Sequence, residues 1–293
     1  MDVDKYRKRY EAELKKASAP AKRAARATAA GKRPSAAARA KEIALAPLDR
    51  DNLEEQVAEL LSTLRNRDES LTVRAAALDA LAALDFLGPR FAPFRAGYTD
   101  ALREIATDEK PELRERALEL LAIDKDPYAH DVLVKGLKRP QDALVSEAKA
   151  IQLLGYDDHA ETVPLVRRVY KRATGPAREE ALRVLATDPK SAPLFARVLK
   201  DKSETRGARQ LSASGLQSLN PEAFDRAARQ IVADEGDYDD IRATAVAALA
   251  HGRETREKPT DTKLVQTVQK AGETTRSRAL KSATRRFLQS TDQ

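Results

Sequence analysis

The sequence predicts an all-α protein, a stack of about seven helical hairpins, and three observations carry that reading. The first is composition: 293 residues with 42% hydrophobic content but only 4% aromatics, no Trp and no Cys. So few aromatics argue against a sandwich or barrel, whereas Ala, Leu, Glu, Lys and Arg suit closely packed helices. The second is a nine-residue pattern that returns through most of the chain. The third is a helix-start signal lying half a period away from it.

The pattern is clearest in Val73-Arg74-Ala75-Ala76-Ala77-Leu78-Asp79-Ala80-Leu81, matched by Ile241-Arg242-Ala243-Thr244-Ala245-Val246-Ala247-Ala248-Leu249. Further copies start at Leu113, Val145, Ala177, Ala208 and Thr275, so that successive spacings are 40, 32, 32, 31, 33 and 34 residues. Arg fills the second slot at Arg74, Arg114, Arg178, Arg209, Arg242 and Arg276, with Ser146 the exception. Self-similarity at such a period is the signature of a repeat architecture.

Half a period away stand Asp126-Pro127, Asp158, Asp188-Pro189 and Asn220-Pro221. Asp or Asn caps the free N–H groups of a helix start, and Pro fits the first helical position, where no N–H partner is lost. Each repeat therefore starts a first helix there and a second at the Arg pattern. Leu53, Val57, Leu60, Leu61 and Leu64 show the helical apolar period in a first helix. One hairpin cannot cover its own apolar face, so neighbours stack into an elongated superhelix.

Across residues 50–290 the apolar-Arg-x-x-Ala-x-x-Ala-Leu pattern resembles HEAT repeats. Asp68 and Asp108, five residues before their copies of the pattern, resemble the turn Asp that this family often pairs with the Arg; later copies lack it at that offset. The resemblance implies a HEAT-type α-α superhelix with the second helices on the concave face. It implies little about function, because such arrays serve as scaffolds, adaptors, transport receptors and occasionally enzymes.

Charge divides the chain. Residues 1–41 hold 13 Lys/Arg against 4 Asp/Glu, and the net charge of +7 is the sum of +9 there, −7 over 42–252 and +5 over 253–293. Residues 1–17 read as an amphipathic N-terminal helix with Val3, Tyr6, Tyr10, Leu14 and Ala17 on one face, either a cap on the first hairpin or a docking arm. Residues 18–41 read as a basic Ala-rich linker or arm; Lys22, Arg23, Arg26, Lys32 and Arg33 are then solvated or tethered to a polyanion. The superhelix occupies 42–293. Its longest interval carries Phe86, Phe91, Phe94 and Tyr98 among Gly and Pro, a projecting loop whose Phe91 and Phe94 either fold back as a plug or anchor a partner. In the last copy, Arg278, Lys281 and Arg285 share a face, as a solvated cap or a contact for phosphate or an acidic partner.

His130, His159 and His251 show no metal-ligand spacing, and there is no phosphate-binding glycine loop and no thiol. The acidic run Asp234 to Asp240 lacks the order of a calcium loop and sits where a helix N-terminus accounts for it. The expectation is a non-enzymatic scaffold or adaptor that binds another protein, cytoplasmic, without a cofactor or metal. The alternative is a nucleic-acid-associated factor held by the basic arm and the basic last helix. A HEAT-like DNA glycosylase or lyase ranks third, because the pocket of such glycosylases relies on aromatics including Trp. No run of apolar residues is long enough to cross a membrane.

Overall fold

The structure is a computed structural model, and it describes residues 34–47, 52–157, 161–254 and 261–290. These residues form fifteen α-helices and, among the described residues, no strand. In chain order they are α1 (Ala36–Leu45), α2 (Leu53–Arg65), α3 (Leu71–Asp85), α4 (Arg95–Ile105), α5 (Pro111–Ile123), α6 (Pro127–Lys138), α7 (Glu147–Leu154) and α8 (Thr162–Arg172). There follow α9 (Gly175–Leu185), α10 (Ala192–Lys200), α11 (Arg206–Leu219), α12 (Pro221–Ala233), α13 (Asp239–Glu254), α14 (Thr262–Thr274) and α15 (Arg278–Gln289). First and second helices alternate seven times from α2 to α15, as the repeat requires.

The chain divides into two compact units, residues 1–136 with 141–145, and 137–140 with 146–293. In the first, α2 pairs with α3 and α4 with α5, while α1 lies against α3. In the second, α8–α9, α10–α11, α12–α13 and α14–α15 form hairpins, and α9, α11, α13 and α15 pack in succession. Leu81 and Leu249, the closing residues of the two best copies of the pattern, are both buried. Small residues let helices approach: a Cβ on Gly215 of α11 would stand 3.2 Å from the fully buried ring of Phe195 on α10.

The expected caps are present where the structure describes them. The side chains of Asp126, Asp188 and Asn220 accept from the N–H groups of Tyr128 (2.9 Å), Lys190 (3.3 Å) and Ala223 (2.9 Å). Asp158 lies outside the described residues. Second helices are capped by Ser70, Ser146, Thr205 and Ser277. Where the cap falls late, at Ser146 and Ser277, the helix starts inside the pattern instead of before it. The turn after α5 is closed by Lys125 at φ 55°, with the N–H of Asp126 donating to Leu121 O and that of Lys125 to Ala122 O.

Two features differ from the sequence expectation. The stretch expected as linker up to residue 41 is helical from Ala36, because alanines need little area to pack when a neighbouring helix comes close; Ala40 is buried against the first unit. The insertion does not project as a loop. It coils into two 3₁₀ turns, Gly88–Arg90 and Ala92–Phe94, that press Phe91 inward.

Candidate partner-binding surfaces

The pattern arginines are structural before they are anything else. Arg74 donates from Nε to Leu64 O (2.8 Å) and from Nη2 to Asp108 of the next repeat (2.5 Å). Arg209 repeats this with Leu199 O (2.9 Å) and a bidentate pair on Asp237 (2.7 and 2.6 Å), entirely out of solvent. Arg178 bonds Tyr170 O (3.1 Å) and Glu204 (2.5 Å), while Arg242 bonds Val232 O (3.1 Å) and Asp239 (3.2 Å). Each guanidinium thus satisfies an orphan carbonyl at the end of the helix before it. At Arg74, Arg178 and Arg209 the second bond goes to a carboxylate in the turn of the following repeat.

Of the two turn aspartates expected to serve the arginines, Asp108 does so and Asp68 is exposed; the neighbouring Glu69 instead pairs with Arg39 of α1. Glu69, Glu204 and Asp237 stand four residues before the pattern and not five. A search at offsets four and five together would have found the whole ladder.

Burial by itself would raise the Asp108 and Asp237 carboxyls, but the arginine bonds and the N–H groups of Lys110 and Tyr238 outweigh it and hold both below the usual carboxylate range. A folded-state value below the unfolded one, about 3.9 for Asp, contributes stability that is present above that pH and lost as pH falls through the folded value. Urea midpoints are therefore expected to hold steady down to about pH 5 and to fall below about pH 4. Asp237→Asn is expected to flatten part of that acid limb; an unchanged limb would contradict the assignment.

The acidic run before α13 is consumed in the same way. Asp234 pairs with Lys202 (2.6 Å), Glu235 with Lys270 (2.8 Å), Asp237 with Arg209, and Asp239 with Arg242 and the Thr275 hydroxyl (2.6 Å). Among the described residues no group of three His, Cys, Asp or Glu side chains is placed to hold a metal ion.

Phe91 is fully buried, its ring 6.0 Å from that of Phe94 and 5.6 Å, edge-on, from that of Tyr98. As an anchor for a partner Phe91 is therefore corrected: the 3₁₀ turns spend it on the local core, and Phe94 is half-buried beside it. The aromatic that the insertion leaves in solvent is Phe86, 93% exposed, at the C-terminal end of α3. Next to it runs a groove of about 690 Å³ between α1, α2 and α3, walled mainly by Ala40, Ala44, Ala75, Ala76, Ala80 and Ala83. In the second unit a cleft of about 520 Å³ is lined by Tyr156, Thr162, Glu180, Arg183 and Asp188. Its charges answer each other, Glu180 to Arg183 (2.5 Å) and Asp188 to Arg167, which leaves little to recognise a charged ligand.

Arg278, Lys281 and Arg285 line the outer face of α15, all exposed and, among the described residues, without an ion pair. Arg276 and Arg286 are exposed beside them, and α15 carries no carboxylate. Its inner face, Leu280, Thr284 and Phe287, is buried. Lys22, Arg23, Arg26, Lys32, Arg33 and residues 1–17 lie outside the described residues.

No protein-family model matches the chain, and no curated protein does. Among solved structures the chain is similar to human deoxyhypusine hydroxylase in complex with glycerol, at 15% identity and a TM-score of 0.37, over 82% of this chain and 96% of that one. The neighbour is an enzyme. The expectation of a non-enzymatic scaffold or adaptor is withdrawn on that finding, and the nucleic-acid alternative gains nothing from it. A likeness of this degree assigns no activity to this chain, and the HEAT resemblance rests on the repeat and its hairpins. No described helix is long and apolar enough to cross a membrane.

Proposed function

We propose that the chain binds a polyanion through the outer face of α15. The observation that carries this is the density of positive charge without an ion pair among the described residues: Arg278, Lys281, Arg285 and Arg286 on a helix without a carboxylate, and Arg276 just before it, all exposed. Elsewhere in the second unit, Arg178, Arg209, Arg229 and Arg242 each have a carboxylate partner. Because the apolar side of α15 is already committed to the core, its free face is recognised by charge and not by hydrophobic burial. Arg forks and a Lys ammonium suit phosphate oxygens, and binding releases condensed counterions. The basic segment with Lys22, Arg23, Arg26, Lys32 and Arg33 contributes to the same attraction.

The test is the salt dependence of binding to a fluorescent nucleic-acid duplex. Replacing Arg278, Lys281 and Arg285 together by Gln removes three phosphate contacts, so the slope of log affinity against log salt is expected to become shallower by about 3. The substituted side chains are exposed, so the helical content and unfolding midpoint should stay as they were. An unaltered slope and affinity in the triple variant would remove α15 as the contact.

A further inference from the structure

We propose that the cleft of the second unit, between the end of α7, the start of α8 and the C-terminal half of α9, binds a small uncharged ligand, a planar heterocycle with an amide edge. The residue that points to a ligand is Thr162. It is 2% exposed, stands in the first turn of α8 and lines the cleft, and its Oγ1 has no hydrogen-bond partner among the described residues. A hydroxyl kept from water without a partner costs the fold stability, so such groups are rare and call for a reason. Among the buried atoms in this condition, that of Thr162 is the one whose residue lines either of the two cavities described above.

The walls of the cleft are held by packing. α7 lies against α9, and Gly155 at the end of α7 lets Val184 come close: a Cβ there would stand 2.9 Å from the Val184 Cγ2. The volume of about 520 Å³ falls in the range of small-molecule sites.

The lining decides the kind of ligand. Asp188 accepts from Arg167, from the Ser191 hydroxyl (2.5 Å) and from the N–H of Lys190 (3.3 Å), Glu180 is held by Arg183 (2.5 Å), and Asp157 is engaged as well. A carboxylate or an ammonium entering the cleft would have to compete with these pairs. What remains is the Thr162 hydroxyl, the Gln152 amide, the ring of Tyr156, 41% exposed, and the side chains of Val163 and Val184. An aromatic ring and two valines favour a flat, apolar body. A hydroxyl and an amide each offer a donor and an acceptor, which the edge of an amide answers on both counts.

Nicotinamide and uracil serve as neutral probes, and nicotinate, the ring of nicotinamide with a carboxylate in place of the amide, as the charged one. Titrated against the full chain by saturation-transfer NMR, the neutral pair is expected to bind, and nicotinate to bind at least about tenfold more weakly. Thr162→Val exchanges the hydroxyl for a methyl group and should weaken the neutral probes about tenfold, the worth of one hydrogen bond to a buried group. Its urea midpoint should stay level or rise, because no bond within the fold is lost. Tyr156→Ala should weaken the neutral probes too, whereas Tyr238→Ala, at another exposed tyrosine of the unit, should not. Absence of binding by both neutral probes, nicotinate binding as well as nicotinamide, or unchanged affinity in both cleft variants would overturn the proposal. So would a lowered midpoint in Thr162→Val, which would give the hydroxyl a partner inside the fold.

Discussion

Arg209→Met is expected to lower the unfolding free energy of the second unit by about 3–5 kcal/mol, the cost of leaving one member of a buried ion pair without the other. Asp237 is almost wholly out of water, and two of its hydrogen bonds come from Arg209. Methionine follows the aliphatic stem of Arg but offers nothing to that carboxylate or to Leu199 O. The double variant Arg209→Met/Asp237→Leu is expected to recover most of the loss, because well-packed apolar residues often replace a buried pair at little cost. Arg276→Met fills the same slot of the pattern where the side chain is exposed and unpaired, and is expected to stay within about 0.5 kcal/mol of the parent. Urea unfolding followed by circular dichroism measures all three. Equal losses at 209 and 276 would mean that the ladder is incidental to stability.

Leu81→Asp is expected to be about as damaging, at roughly 3–5 kcal/mol, by a different route: it puts a carboxylate where no hydrogen-bond partner waits. Leu81 has no exposure in α3, and its counterpart Leu249 in α13 has almost none. Leu249→Asp should therefore behave alike in the second unit. Since the introduced group can become neutral by taking up a proton, the penalty of both variants should shrink as the pH approaches 5, whereas the parent holds steady to that point. A melting curve indistinguishable from the parent in either variant would place the pattern in the wrong register.

Such variants can be chosen at all because the repeat was legible in the sequence. Val73, Leu81, Ile241 and Leu249 were identified by spacing alone, and all four are core residues. Spacing is a property of the helix and survives changes of side chain; the length of a turn is not. Offsets of five at Asp108 and four at Glu69, Glu204 and Asp237 reach the same arginine position, so a fixed-offset rule found Asp108 and missed the other three. Composition misled twice in the first unit. Residues 36–41 hold no large apolar side chain, yet they are helical because alanine packs by closeness and not by area. Phe86 and Phe91 are indistinguishable by type, and only the two 3₁₀ turns decide which one meets water. The basic face of α15 was read directly from its spacing, since a helix that buries Leu280, Thr284 and Phe287 leaves Arg278, Lys281 and Arg285 facing out.

The ladder also gives damage a preferred direction. Arg74, Arg178 and Arg209 each hold the helix behind with one bond and the turn ahead with another, so the repeats they join cannot open without stranding a guanidinium on one side and a carboxylate on the other. At Arg276 no carboxylate is held, and the guanidinium is already hydrated. Opening there breaks the bond from the Thr275 hydroxyl to Asp239 but strands no buried charge. Fraying in the second unit is therefore expected to start at α15 and to halt at the first buried pair it meets, Arg209 with Asp237, so that hydrogen exchange should reach the helices beyond last.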